Sequence, residues 1–307
     1  MLCLKNSRNL IRFPYRTISD TTRIKDKEKI DPVDLAYASF ESTDIGYGPT
    51  PVVIMHGLLG SKNNWNSLSK AFHQKTIPQR KIVAVDARNH GDSPHTVHHT
   101  YNHLVEDIKQ LLERLKIPKA CLLGHSMGGR AMMLFALKYP QFVDRLIIAD
   151  ISPVRISPNF KTTPFMLEAL SKVSLPSNVP ISTARVSADQ QLLKVISNKG
   201  LRSFLVTNLV QKSDGRFDWR VNLPVLMASF SHLAVFPEAP HNTFGGPVLF
   251  VAGGSSDFIQ KTDHPQIVKI FPNAEFQYIE GAGHWLHSEK PAEFLRLCLD
   301  FLNKEIK

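Results

Sequence analysis

Gly124-His125-Ser126-Met127-Gly128 is the stretch on which the reading of the fold turns. It follows a short apolar run, Cys121-Leu122-Leu123, and precedes Ala131-Met132-Met133, which belongs to a helix. Between a strand and a helix, G-x-S-x-G makes a sharp turn that lifts a serine hydroxyl above a sheet. A β-carbon at either glycine would crowd that turn. Serine is a weak nucleophile until a base takes its proton, so a histidine is needed farther along the chain. Gly283-His284-Trp285 meets that need. It follows the last strand-like run and a small-residue turn, and none of the other twelve histidines has that setting. His287, close by, reads as a surface residue.

An attacked carbonyl develops negative charge that two backbone N–H groups must receive. Met127, the residue after the serine, supplies one. His56-Gly57-Leu58-Leu59-Gly60 follows a strand-like run as the second donor's loop should, and Leu58 is the expected donor. The acid that orients His284 has two candidates. Asp257 ends Gly253-Gly254-Ser255-Ser256-Asp257 after the penultimate strand, and Asp150 ends the strand after the nucleophile helix. The pattern of residues leaves both open.

Outward from this centre, strand-like and helix-like stretches alternate. Val52–Met55, Lys81–Asp86, Ala120–Leu123, Leu146–Ala149, Pro247–Ala252 and Phe276–Ile279 read as strands. Helical spacing of apolar residues recurs at Trp65, Leu68 and Phe72, at Leu104 to Leu115, and at Phe294 to Leu302. Such alternation predicts an α/β fold, a mostly parallel sheet flanked by helices, with its chemistry at the carboxyl ends of the strands. From 155 to 244 the rhythm changes to successive helical patterns without buried strands, which predicts a helical cap inserted after the strand ending at Asp150. Its Phe165, Met166, Leu170, Phe204, Leu205 and Leu209 could line an apolar channel or simply bind cap to core. The core is then 31–154 with 245–307.

Residues 1–30 form a separate piece. They carry eight basic groups against three acids, half of the chain's net charge of +10. Arg8, Arg12 and Arg16 recur among Leu10, Ile11, Phe13 and Tyr15, and no acid occurs before Asp20. That composition suits a mitochondrial transit peptide and linker, and hence a mitochondrial, matrix address. The rest has no Lys/Arg block, which argues against nucleic-acid binding. No apolar run reaches the ~18 residues of a membrane span. Three scattered cysteines build neither a disulfide framework nor a zinc cluster, and Cys121 reads as a small buried hydrophobe. His95, His98, His99 and His103, with Glu106 as the one further ligand at hand, read as a solvated loop and helix start, with His99 and His103 sharing a helix face; no metal site is expected. Asp86 to Ser93 should brace the loops around the centre. The chemistry calls for no cofactor.

HGLLGSKNNWNSL (56–68), VDARNHGDSPH (85–95), GHSMGGRAMML (124–134), ADISPV (149–154), DGRFDWRVNL (214–223) and GAGHWLH (281–287) together resemble the α/β-hydrolase superfamily, and within it a group of mitochondrial serine hydrolases with bacterial and yeast esterase relatives. The resemblance implies an α/β-hydrolase fold over 35–306 and cleavage of acyl esters through an acyl-serine, with sn-1-specific diacylglycerol lipase activity. It also implies association with the 2-oxoglutarate dehydrogenase complex, whose lipoylation relatives protect. It favours Asp150 over Asp257, because ADISP matches the relatives while their loop at Gly253-Gly254 often lacks an acid. Two other functions fit the same nucleophile: an alcohol acyltransferase, and a mainly non-catalytic partner of the dehydrogenase complex. A haloalkane or epoxide hydrolase needs Asp at the turn, and Ser126 excludes it.

Overall fold

The computed structural model describes residues 30–42, 48–241 and 243–305. The leader expected over 1–30 lies almost wholly outside them. In chain order the core elements are β1 (Tyr37–Phe40), β2 (Val52–Met55), α1 (Asn66–Lys75), β3 (Ile82–Val85), α2 (Tyr101–Arg114), β4 (Ala120–His125), α3 (Met127–Lys138) and β5 (Val143–Ala149). After the inserted segment, with its β6, β7 and α4–α8 given below, come β8 (Val248–Gly253), α9 (His264–Ile270), β9 (Ala274–Ile279), α10 (Leu286–Glu289) and α11 (Pro291–Leu302). The sheet order is β1-β3-β2-β4-β5-β8-β9, and every neighbouring pair is parallel except the β1–β3 edge.

Strand periodicity divides the core cleanly. Successive strand side chains point to opposite faces. Val53, Met55, Leu122, Ile148 and Phe250 therefore pack with α2 and α3, while Val52, Ile54, Leu123, Ile147 and Leu249 pack with α1 and α11. Burial on both faces explains why these strands read as unbroken apolar runs. The short β1 was not visible as a strand: its YASF alternates exposed and half-buried positions at the sheet edge.

The segment between β5 and β8 contains α4 (Thr163–Ser171), α5 (Ile181–Leu193), α6 (Lys199–Val206), α7 (Leu223–Ala228) and α8 (Phe230–Ala234). Contrary to the expectation of a helical cap, it is not wholly helical. β6 (Leu209–Gln211) and β7 (Phe217–Trp219) pair as an antiparallel hairpin, and α6 ends before Leu209. The signal was present in Asp214-Gly215, a turn dipeptide flanked by alternating residues, with Gly215 at φ +80°. The segment has its own apolar cluster, including Leu167, Leu170, Leu192, Leu205 and Trp219, with Leu59 of the core joined to it.

One buried ion pair fixes the loop after β3. The Arg88 guanidinium donates to both Asp107 carboxylate oxygens, at 2.7 and 2.6 Å, and Val33 N–H adds a third bond at 2.8 Å. Both side chains are essentially inaccessible. Removing one partner strands a buried charge, so Asp107→Ala is expected to cost ~3–5 kcal/mol. Urea unfolding measures it; a loss below ~1 kcal/mol would show that water replaces the carboxylate.

Candidate active site

β4 runs straight into α3, and Ser126 occupies the joint with φ 52° and ψ −117°. A non-glycine residue at positive φ persists only where its surroundings hold it there. They do so by close approach. A β-carbon at Gly128 would lie 2.4 Å from the Met55 carbonyl oxygen, and one at Gly124 would lie 2.4 Å from the Gly128 carbonyl. The turn therefore packs directly on β2, and Ser126 N–H bonds to Ala149 O at 3.1 Å.

His284 arrives on the loop after β9, with its Nε2 3.0 Å from Ser126 Oγ. Its Nδ1 lies 2.7 Å from Asp150 Oδ2. An imidazole that donates Nδ1–H to a carboxylate presents its Nε2 lone pair to the serine hydroxyl. Asp150 follows the last residue of β5 at φ 49° and is fully buried. Gly253 N–H donates to its Oδ1 at 3.0 Å, and Ser256 Oγ–H donates to its Oδ2. Phe258 stacks on the His284 ring at 3.8 Å between centroids. Asp257 lies elsewhere: its carboxylate accepts from Ser157 Oγ at 2.6 Å and Asn159 N–H at 3.4 Å. It lines the same cavity.

The loop carrying Leu58 presses on the serine, since a β-carbon at Gly57 would sit 3.1 Å from Ser126 Cβ. Leu59, at φ 63°, is held at both ends. Its N–H donates to His90 Nε2 at 3.1 Å, and its carbonyl accepts from Asn208 of the inserted segment at 2.8 Å. Gly60 N–H closes the turn on Gly57 O. Met127 is the first residue of α3, where an N–H has no partner within the helix.

Two histidine expectations fail. His287 is buried, its ring stacked on Trp65 at 4.5 Å. The reason is the turn into α10, which folds the chain back toward α1. His99 is also fully buried and precedes α2, whose N-cap is Thr100, so it shares no helix face with His103. It donates Nε2–H to Met127 Sδ at 3.4 Å. Among the described residues no group of three or more His, Cys, Asp or Glu side chains could hold a metal ion. Cys121 is buried, and that burial pushes its thiol up to about 12. Asp86 braces as expected, accepting from Lys62 N–H at 2.7 Å, Asp92 N–H at 2.8 Å and the Lys62 ammonium.

Ser126 and His284 open into a cavity of about 410 Å³. Phe160, Met166, Leu201, Phe204, Leu205, Leu58, Phe258 and Trp285 line it with apolar groups, and Asn64, Asn198, Ser255 and Glu289 with polar ones. Of the proposed channel residues, Met166, Phe204 and Leu205 reach it, Leu170 and Leu209 are buried in the segment's own core, and Phe165 is 57% exposed. His90, within the Asp86–Ser93 stretch expected to brace the site, does so through Leu59, whereas sequence reasoning missed Asn208, Ser256 and Arg130. The Arg130 guanidinium, buried on α3, donates to the carbonyls of Ser152, Arg155, Leu233 and Ala234 and so ties the segment to the core. Only the two serines of Gly-Gly-Ser-Ser gave a hint, through their place after a strand.

A family model described as the alpha/beta hydrolase fold matches residues 50–291. The sn-1-specific diacylglycerol lipase ABHD11 of Mus musculus is 44% identical over 251 residues, 82% of this chain and 80% of that protein. The esterase YbfF of Escherichia coli is 32% identical over 254 residues, 83% of this chain and 93% of its own. Among solved structures, a marine microorganism esterase superposes with a TM-score of 0.77 at 33% identity, covering 88% of this chain and 99% of its own.

Burial lowers the affinity of His56, His90, His99, His125 and His287 for protons, taking His99 and His287 down to about 3. When unfolded, these rings titrate near ~6.5. Below that pH the folded chain binds fewer protons than the unfolded one. The stability contributed by neutral burial is therefore complete above ~6.5 and is lost as pH falls toward ~3. Urea midpoints should decline from ~6.5 downward; a midpoint constant to pH ~5 would contradict neutral burial.

Proposed function

Because the chain belongs to the α/β-hydrolase family, we propose that it is a carboxylic ester hydrolase working through an acyl-Ser126 intermediate, with sn-1-specific cleavage of diacylglycerols as its activity. The observation that carries this reading is the unbroken contact from Asp150 through His284 to Ser126 at a cavity with both apolar and polar lining. The mouse relative's printed activity supplies the substrate class.

Ser126 Oγ attacks the ester carbonyl while His284 Nε2 takes its proton. Asp150, buried and fixed by Gly253 and Ser256, holds the imidazole in the useful tautomer and stabilises the imidazolium. The oxyanion goes to Met127 N–H and Leu58 N–H. Leu59 N–H is committed to His90 and Gly60 N–H to Gly57, which leaves Leu58 as the donor of that turn. Collapse of the tetrahedral species expels the alcohol, protonated by His284. A water molecule, deprotonated by His284, then attacks the acyl carbonyl and releases the acid. The inserted segment acts as the cap, its apolar wall receiving the acyl chain.

A mutational series tests the assignment. Ser126→Ala should abolish fluorophosphonate labelling and lower kcat by about a millionfold, and His284→Ala should cost comparably. Asp150→Asn should lower kcat about 10⁴-fold with folding intact, while Asp257→Asn should lose less than roughly tenfold. Labelling of the alanine variant would end the serine-hydrolase reading, and the reverse order of the two aspartates would move the acid to Asp257.

We also propose a mitochondrial matrix address, supported by the arginine-rich, acid-poor composition of residues 1–19. The association with the 2-oxoglutarate dehydrogenase complex goes with that address, since such a partner must share the compartment. Deleting residues 1–20 should abolish import into isolated mitochondria without loss of ester turnover. Import of the truncated chain would refute it.

A further inference from the structure

The charge of this chain is unevenly placed. Residues 31–154 and 245–307 together carry 19 basic and 19 acidic groups and sum to zero, whereas 155–244 carry ten basic groups against five acids. Outside the leader, the inserted segment thus holds the whole positive excess. The same segment carries seven of the eleven large hydrophobic side chains that the described residues leave exposed: Ile156, Phe165, Val186, Leu193, Val195, Met227 and Val235. Single exposed apolar residues are ordinary, but their concentration on one part of a fold marks an interaction surface.

Three of them lie within a few residues of the cavity lining. On α4, Phe165 is 57% exposed and adjoins Thr163 and Met166, which line the pocket. At the end of α5, Leu193 and Val195 are 50% and 53% exposed. A few residues on, Asn198 and Gly200 line the pocket and are themselves exposed, so the cavity opens there. Lys194 caps α5 and Lys199 begins α6, and neither has an acidic partner among the described residues. The two edges belong together: Ser174, just past α4, exchanges hydrogen bonds with the Gln191 amide of α5 at 2.9 and 2.8 Å. Asp257 and Glu289 of the core also line the cavity, and Asp257 is held by Ser157 and Asn159 of the inserted segment.

We propose that the rim formed by Phe165, Leu193, Val195, Lys194 and Lys199 docks on an anionic lipid bilayer and presents the cavity mouth to it. A bilayer supplies what both halves of the rim lack. The apolar side chains enter the acyl boundary, and the unpaired ammonium groups meet the negative headgroups. The proposal rests on the lipid-ester reading for its purpose but not for its observations: it specifies that the hydrolase takes its substrate from a membrane rather than from solution.

The test is co-flotation of the full chain with vesicles of phosphatidylcholine alone or with about 30 mol% phosphatidylglycerol, beside turnover of a soluble short-chain ester. The native chain should float with the anionic vesicles, more weakly as salt rises, and little with neutral ones. Lys194→Gln with Lys199→Gln should weaken anionic-vesicle binding about thirtyfold. Phe165→Ser with Leu193→Ser should weaken it at least tenfold. None of the four residues lines the cavity, so soluble-ester turnover should stay within about twofold. Equal binding to both vesicles, or undiminished binding of both double variants, overturns the proposal, as does flotation of neither vesicle. A chain that floats as described but turns over no ester supports docking while defeating the hydrolase reading.

Discussion

The turn between β4 and α3 has no room for a β-carbon at either glycine, and the rest of the site is arranged around that constraint. Because Gly128 lies against the Met55 carbonyl, α3 starts directly on the carboxyl ends of β2 and β4. That contact lifts Ser126 out of the sheet into a strained conformation which a freer turn would relax. It also points the N-terminus of α3, with its unpaired N–H groups, at the place where charge would develop during acyl transfer. Parallel pairing then aligns the ends of β5, β8 and β9 beside β4, so that Asp150 and His284, 134 residues apart in sequence, come within 2.7 Å.

The loops around the serine are held by neutral imidazoles as well as by the Arg88–Asp107 and Lys62–Asp86 ion pairs. His56 accepts from Ala87 N–H at 3.0 Å and donates to Gly57 O at 2.7 Å. His90 accepts from Leu59 N–H and donates to Arg88 O. A protonated ring has no lone pair with which to accept, so each of these bonds depends on the desolvation that keeps the ring neutral. The arrangement links two stretches of chain, 56–59 and 87–90, beside the cavity. Asn208 extends it into the inserted segment, which therefore contributes to the shape of the Leu58–Leu59 turn as well as covering it.

The same segment combines two surfaces with different demands. Its inner face is apolar and partly built from its own small core, which lets it fold as a unit on the sheet while Arg130 anchors it through four carbonyls. It also carries ten basic groups against five acids and seven of the eleven large hydrophobic side chains that the described residues leave exposed, on a core whose charges balance.

Much of this was legible in the sequence. The unbroken apolar runs revealed buried parallel strands because both faces of such strands are covered, and the G-x-S-x-G turn revealed the serine because its glycines answer to backbone contacts close in the chain. The hairpin at Asp214-Gly215 was legible too, in its turn dipeptide, but was hidden by helical spacing that ran past the end of α6. What no local pattern carried was burial at a distance. His287 and His99 are enclosed by elements remote in sequence, and Asn208 meets Leu59 across 149 residues. By itself, then, the sequence determined the strand–turn–helix elements and the residue types at their ends. Only the tertiary structure decided which carboxylate touches His284. Asp150 and Asp257 both follow adjacent strands, and it is the left-handed backbone at Asp150, with Gly253 and Ser256 closing on its oxygens, that turns one of them toward the ring while Ser157 and Asn159 hold the other away.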